Sequence, residues 1–276
     1  MGAFPVSIET AIYSRMARNA ARSPLVAQVK DSLGGCRLIL GVDRLDYSKG
    51  IPHRIKAFDR FLETNPDWHS KVTLLQIKPK SRSEIKEYSD IEAEVTTLIG
   101  KINGRFGDAA WTPIRYVKKS YSRTALAGIY RAADVAMVTP LRDGMNMVAK
   151  EYIAAQYPDD PGVLVLSEFA GAAKELDHAL LINPHEIDGV ASALKVALEM
   201  AVEERRARHA PMLQYLIQND IKNWADVYLS SLSENSQGLG LLNGIRALFT
   251  GALEQRPVIS GAPRFDMQSA FPQSRL

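Results

Sequence analysis

The 276-residue sequence contains a single cysteine, Cys36, so no disulfide can form within one chain. Its five histidines are not spaced like metal ligands, and no second thiol is present to complete a cysteine-containing metal site. The sequence therefore predicts no metal centre. A lone thiol is also typical of a protein that works in a reducing compartment.

Long apolar runs are lacking as well, because no stretch approaches the roughly 18 apolar residues of a membrane span. The first residues, Met1 to Pro5, have neither the basic nor the apolar region of a secretory signal. A net charge of +3 with acidic residues spread throughout favours a local site for anionic small molecules over a nucleic-acid surface. We therefore expect a cytoplasmic protein with no membrane and no nucleic-acid partner.

What the sequence has is a regular alternation of short apolar runs and amphipathic helical patterns. This alternation predicts an α/β fold, with a Rossmann-like, open, mostly parallel six-stranded sheet, helices on both faces and long helices near the C-terminal end. The six predicted strands are residues 37–42, 72–77, 113–117, 134–139, 162–166 and 179–182.

Composition divides the chain into three predicted parts. Residues 1–36 form a lead-in segment with a helical pattern that Ser23-Pro24 interrupts. Residues 37–232 form the Rossmann-like domain. Residues 233–276 are predicted to hold a linker, a short apolar helix around 241–253 and a disordered tail rich in Pro, Gly and Ser. The apolar helix fits docking on the domain or on a partner.

The most informative stretch is residues 141–151, in which a tight loop joins a buried strand to a helix. Asn146 is a suitable helix cap, and the free N–H groups of such a helix start suit a phosphate. Asp143 follows the strand's carboxyl end, and Glu151 lies about one turn into the helix, where a carboxylate could hold ribose hydroxyls. The same spacing also fits an ordinary turn between a strand and a helix. A later loop, residues 167–173, has small residues suited to close helix–sheet contact.

Cations follow several of the predicted strands. Arg44 and Lys49 share the loop after the first strand, where two positive charges could neutralise a pyrophosphate and help it depart. Arg82 follows the second strand and could grip an acceptor phosphate. Arg123 lies in the first turn of a helix, where a cation opposes the helix dipole. Each of them could equally be an ordinary surface cation.

Three loops together carry a resemblance to a known family. The segments RLDYSKG (44–50), TPLRDGMNMVAKE (139–151) and LSEFAGAAKEL (166–176) resemble those of the trehalose-6-phosphate synthases, and INGRFG (102–107) and HALLINPHE (178–186) fit too. That family consists of retaining glycosyltransferases of the two-domain GT-B type that use nucleotide sugars. The resemblance covers roughly residues 2–232 and implies the C-terminal, donor-binding half.

The resemblance also implies roles for the site residues, without a metal or other cofactor and with UDP-glucose as the donor substrate. Arg44 and Lys49 would bind the diphosphate, and Asp143 would contact the transferred glucose, so these three are the catalytic candidates. Arg82 would reach the acceptor phosphate. The remaining donor-binding candidates are Arg123, Gly144, Met145, Asn146, Met147, Val148 and Glu151.

The expected reaction is transfer of glucose, with retention, from UDP-glucose to glucose 6-phosphate. The family's N-terminal half, which completes the acceptor pocket, is not recognised in this sequence. Activity would then require that another chain or a lost N-terminal segment complete the cleft, and the expected partners are a chain that carries the N-terminal half or a second copy in a homo-oligomer. Two alternatives remain open: a glucosylglycerol-phosphate synthase, which shares the donor loops, and a non-catalytic module that binds nucleotide sugars or other subunits.

Overall fold

Strands and helices alternate along the part of the protein described by a computed structural model, residues 3–79 and 86–235. Within these ranges the strands are β1 (Arg37–Val42), β2 (Val72–Ile77), β3 (Ile114–Val117), β4 (Val135–Val138), β5 (Val163–Ser167) and β6 (Leu180–Ile182). The helices are α1 (Thr10–Ala20), α2 (Pro24–Ser32), α3 (Ile51–Thr64), α4 (Lys86–Phe106), α5 (Arg123–Ala132), α6 (Met147–Ala155), α7 (Ile187–Glu199), α8 (Val202–Gln218) and α9 (Ile221–Asn235).

The six strands form one sheet in the order β3-β2-β1-β4-β5-β6, and every pairing within it is parallel. The strand order reverses between β1 and β4, where Ile39 pairs with Val135 and Leu40 with Ala136. The predicted Rossmann-like α/β fold is therefore confirmed. Open α/β sheets bind their ligands beyond the carboxyl ends of the strands at such a reversal.

Two hydrophobic clusters cover the two faces of the sheet. One joins residues of α1, α5, α6 and α8 to alternate strand residues such as Leu38, Leu40 and Val138. The other joins α3, α4 and α7 to the intervening residues, such as Ile39 and Met137. Because both faces are covered, the strands read as nearly continuous apolar runs. Helices on both faces, as predicted, are confirmed.

Serine hydroxyls cap the starts of two helices. The Ser23 hydroxyl accepts from the N–H of Val26, with Pro24 as the first residue of α2. The Ser122 hydroxyl accepts in the same way from the N–H of Ala125 at the start of α5. The interruption at Ser23-Pro24 therefore separates two helices, as predicted.

The chain divides into two compact units, Met1–Val227 and Tyr228–Leu276. The predicted lead-in segment, as far as it is described, belongs to the first unit, because α1 packs against α5 and α6. The predicted linker needs a correction at its start, since α9 continues to Asn235. There the Ser233 hydroxyl bonds the carbonyl of Ser230, a contact compatible with helix. Long C-terminal helices are confirmed.

Two predictions lie outside the described residues. They are the role of Arg82 and the apolar helix with its tail beyond residue 235. Among the helices in the described ranges, none is long and apolar enough to cross a membrane.

Candidate functional site

A cleft of about 440 Å³ opens between the carboxyl ends of β1 and β4, at the reversal of strand order. Its walls come from the ends of β1 and β2, from α5, and from the loop and helix that follow β4. The lining residues are Val42, Asp43, Arg44, Lys49, Pro79, Leu126, Tyr130, Asp143, Met145, Asn146, Met147, Val148 and Glu151.

The loop after β1 is a short, internally fixed turn that presents two cations. The carboxylate of Asp46 accepts from the backbone N–H and the hydroxyl of Ser48, both at 2.8 Å. Gly50 ends the turn at φ +64°, a conformation that favours glycine. The Arg44 side chain is exposed and forms no ion pair with any of the described residues. Arg44 is therefore available to an anionic ligand.

Lys49 and Asp143 form an ion pair across the cleft. The Lys49 Nζ atom lies 2.6 Å from Asp143 Oδ2, and each side chain is only 16% exposed. The Asn146 amide also donates to this carboxylate oxygen, at 3.1 Å. An ammonium group has three N–H donors, so Lys49 can keep this bond and still bind a second anion.

Backbone hydrogen bonds join the loops after β1 and β4. The N–H of Leu141 donates to the carbonyl of Ser48 at 2.7 Å. A side chain at Gly50 would clash with the backbone carbonyl of Thr139, so the two loops touch directly at this glycine. These main-chain contacts hold the loop that carries Lys49 next to the loop that carries Asp143.

The loop after β5 supports the loop after β4 from the other side. Asp143 donates its N–H to the carbonyl of Phe169 and accepts from the N–H of Gly171, at 3.1 and 3.0 Å. Gly171 lies against the backbone of Gly144, where no Cβ would fit. The loops after β1, β4 and β5, which are neighbouring strands of the sheet, are thus joined by hydrogen bonds at its carboxyl edge.

Helix α6 points its N-terminal end at the cleft. The Asn146 side chain caps it by accepting from the N–H of Ala149 at 3.3 Å, and Asn146 itself adopts φ +75°. The N–H groups of Met147 and Val148 have no acceptor among the residues that the structure describes. Together with Arg44 and Lys49, these groups make one side of the cleft electropositive.

Glu151 lies at the other end of the cleft and is partly buried. Burial raises the pKa of its carboxyl group, and the charge of Arg123 and the hydroxyls of Tyr13 and Tyr130 act in the opposite direction. The buried Tyr13 hydroxyl forms no hydrogen bond of regular geometry with any described residue. The guanidinium of Arg123 lies 5.1 Å from the centre of the Tyr13 ring. A partly buried carboxylate that lines the cleft suits a ligand that donates hydroxyl groups.

We expect Glu151→Gln to raise the free energy of unfolding at neutral pH. The pKa of Glu151 is higher in the folded protein than its ordinary value of 4.5. The wild type therefore loses stability as the pH rises from 4.5 through the folded-state pKa, and glutamine, which does not ionise, removes this loss. Urea unfolding at about pH 4 and about pH 8 would measure it, since these values bracket the range. Glu199→Gln, at the exposed end of α7, should change stability little at either pH.

The structure brings most of the predicted residues together at this cleft. Those that line it are Arg44, Lys49, Asp143, Met145, Asn146, Met147, Val148 and Glu151. Gly144 supports the loop through its backbone, and Arg123 lies behind Glu151 without lining the cleft. Their individual roles stay predictions.

Three polar residues at the site were not predicted from the sequence: Asp43, Tyr130 and Tyr13. Asp43 lines the cleft beside Arg44, and its place directly after a strand is the signal that could have identified it. Tyr13 lies within α1 and Tyr130 within α5, so neither directly follows a strand, and their sequence positions did not mark them as site residues. In the described ranges, no three His, Cys, Asp or Glu residues are grouped as metal ligands would be.

Comparison with known proteins assigns the family. The profile of Glycosyltransferase family 20 matches residues 1–234. The chain belongs to glycosyltransferase family 20. A trehalose-6-phosphate synthase of Sinorhizobium fredii is 48% identical to this family 20 chain over 239 residues, which are 87% of the chain and 52% of that relative.

Solved structures agree with the family 20 assignment and with the fold. An α,α-trehalose-phosphate synthase (UDP-forming) of Burkholderia xenovorans, in complex with glucose-6-phosphate, is 47% identical with a TM-score of 0.83. The match covers 84% of this chain and 50% of that one. A structure from E. coli bound with UDP-2-fluoro glucose is 45% identical with a TM-score of 0.81, over 86% of this chain and 52% of that one. This family 20 chain therefore spans about half the length of the relatives it matches.

Proposed function

We propose that this chain is the donor-binding half of a retaining glycosyltransferase that transfers glucose from UDP-glucose to glucose 6-phosphate, giving trehalose 6-phosphate. The observation that carries the proposal is the convergence of two cations and two helix N–H groups, which have no acceptor within the described ranges, on one side of a cleft that has a partly buried carboxylate at its other end. A nucleoside diphosphate sugar has the complementary arrangement, with its anionic groups between a ribose and a hexose.

The diphosphate would bind between the loop after β1 and the start of α6. Arg44 can donate two parallel N–H bonds to phosphate oxygens, and Lys49 adds a second positive charge. The N–H groups of Met147 and Val148 complete the set from the opposite side. When the sugar–phosphate bond breaks, negative charge builds up on the leaving diphosphate, and these groups would stabilise it without a metal or other cofactor.

The glucose would lie beside Asp143 and the loop that follows it. The carboxylate of Asp143 is held by Lys49 and Asn146, so its position is defined before the sugar arrives. Gly144 and Met145 would offer backbone groups to the sugar hydroxyls. Catalysis would then depend on positioning and electrostatics, with the acceptor hydroxyl attacking on the face from which the diphosphate leaves.

The nucleoside would lie toward α5 and α6. There Glu151 would accept hydrogen bonds from the ribose hydroxyls, as an acidic residue does in dinucleotide-binding folds. Arg123, next to Glu151, would be near the nucleotide. The acceptor phosphate would be bound by Arg82. The rest of the acceptor pocket is assigned to the half of the relatives that these 276 residues do not match.

Titration of UDP into the purified protein tests the donor site. We expect saturable binding with a Kd between micromolar and millimolar, about −8 to −4 kcal/mol. Arg44→Ala should weaken it by at least about tenfold, since it removes a bidentate phosphate contact worth about 1.5–3 kcal/mol. Arg18→Ala, at an exposed position in the last turn of α1, is the matched control and should bind like the wild type.

Failure of the folded wild-type protein to bind UDP would contradict the donor-site assignment. If UDP binds, an assay of glucosyl transfer distinguishes a catalytic donor half from a non-catalytic binding module. Transfer that appears when a relative's N-terminal half is added supports the catalytic proposal. Binding of UDP-glucose without transfer under that condition would favour a non-catalytic module.

A further inference from the structure

A fully buried arginine lies directly beneath the cleft. Arg54, on α3, has no exposed surface. Its Nη1 atom donates to Asp43 Oδ2 at 2.6 Å and to Gln76 Oε1 at 2.9 Å, and its Nε atom donates to Thr139 Oγ1 at 3.0 Å. These partners lie on or directly after β1, β2 and β4, so one guanidinium joins the carboxyl ends of three adjacent strands.

The sheet is shaped to admit this side chain. Gly41, inside β1, has no Cβ, and a Cβ built there would overlap both the Gln76 amide and the Arg54 guanidinium. Arg54 Nη2 is also buried and lacks an acceptor among the described residues. Burying a guanidinium with an unsatisfied donor costs folding free energy. Packing alone therefore gives no reason for an arginine at this position.

The Arg54 guanidinium is coupled electrostatically to the cleft through Asp43, which lines it. Burial raises the pKa of the Asp43 carboxyl group, and Arg54 is the strongest influence in the other direction. The charges of Lys49 and Asp143 also act on Asp43. Asp43 thus lies between the buried arginine and the ion pair that spans the cleft.

We propose that Arg54 is a positioning residue for the donor diphosphate: by joining the ends of β1, β2 and β4, it fixes the orientation of Arg44 and Lys49. This inference rests on the function proposed above for those two cations. Besides Arg54, Lys49 is the cation of the described residues whose charge acts on the Asp43 carboxylate. Without Arg54, Lys49 would be drawn away from the diphosphate and from Asp143.

The test compares UDP with uridine, which lacks the diphosphate. In Arg54→Met we expect the Kd for UDP to rise about tenfold or more, the equivalent of about 1.4 kcal/mol, and the Kd for uridine to stay within about twofold, since a nucleoside makes no phosphate contact. Arg60→Met, at an exposed ion-paired arginine on the same helix, is the matched control and should change neither value.

Two further variants keep the test informative if Arg54→Met does not fold. Thr139→Val removes one acceptor with little change in shape, and we expect a smaller loss in the same direction. In Arg54→Ala, millimolar guanidinium should restore part of the UDP affinity and leave the uridine affinity unchanged. Equal weakening of UDP and uridine, or unchanged UDP binding in folded Arg54→Met, would overturn the proposal.

A measurement without ligand separates this inference from the proposed function. The N–H of Leu141 bonds the carbonyl of Ser48, so its hydrogen exchange reports the contact between the two loops. We expect faster exchange in Arg54→Met or Thr139→Val than in the control. Unchanged exchange would refute positioning by Arg54 even if the wild type binds no UDP. Faster exchange in a protein that binds no UDP would refute only the proposed function.

Discussion

Lys150→Met is expected to lower the free energy of unfolding by about 3–5 kcal/mol, the usual loss when one partner of a buried ion pair is removed. The Lys150 side chain is 1% exposed and that of Glu175 is 8% exposed, and Lys150 Nζ lies 2.5 Å from Glu175 Oε2. Methionine matches the shape of lysine and would leave the Glu175 charge without its counter-ion.

Lys150 also holds the N-terminal segment, because Nζ donates to the carbonyl of Val6 at 2.7 Å. Urea unfolding at neutral pH would measure the loss. Lys195→Met, at an exposed lysine of α7, is the matched control and should stay within about 0.5 kcal/mol of the wild type. In a protein that also carries Glu175→Met, we expect much of the loss to be recovered. A loss below about 1 kcal/mol for Lys150→Met would contradict a working buried ion pair.

Gly171→Ala is expected to weaken UDP binding by at least about tenfold, because moving the loop would break hydrogen bonds to the charged diphosphate that are worth about 1.5–3 kcal/mol each. The new Cβ would overlap the carbonyl group of Gly144. Because that neighbour is backbone, the loop that carries Asp143 and the start of α6 would have to move. Calorimetric titration of the wild type and the variant would measure the change.

Gly104→Ala provides the control for this substitution. Gly104 is an exposed residue of α4 with open space where a Cβ would lie, so alanine should stabilise the helix by about 0.5–1 kcal/mol and leave UDP binding unchanged. If Gly171→Ala binds UDP as tightly as Gly104→Ala does, the contact between the loops after β4 and β5 does not control the site.

Most of the fold could be predicted from local sequence patterns. The runs at β1 and β2 match the structure at both ends, because strands buried on both faces are uninterrupted apolar segments bounded by polar residues. Helix starts were equally local, as Ser122 and Asn146 show. The helix that continues through Ser233 was missed, because serine- and asparagine-rich segments also form linkers.

The predicted site depended on one rule about parallel sheets, that the loops at their carboxyl ends converge. From that rule, Arg44, Lys49 and Asp143 could be expected to lie close together before the structure was known. The contacts that position them could not be predicted in the same way. Arg54 reads as an ordinary polar residue of an amphipathic helix, and its partners Gln76 and Thr139 lie on other elements. Only the packed fold shows that they meet.

The pairing of β1 with β4 has a consequence for the order of folding. These strands meet through two residue pairs, although β2, β3 and the helices α3, α4 and α5 lie between them in the sequence. Pairings between distant segments close late, because the chain must first lose the entropy of a long loop. The cleft lies across this seam, with Lys49 on one side and Asp143 on the other. Its two sides therefore come together when the two halves of the sheet join, and a bound nucleotide would stabilise the last part of the sheet to form.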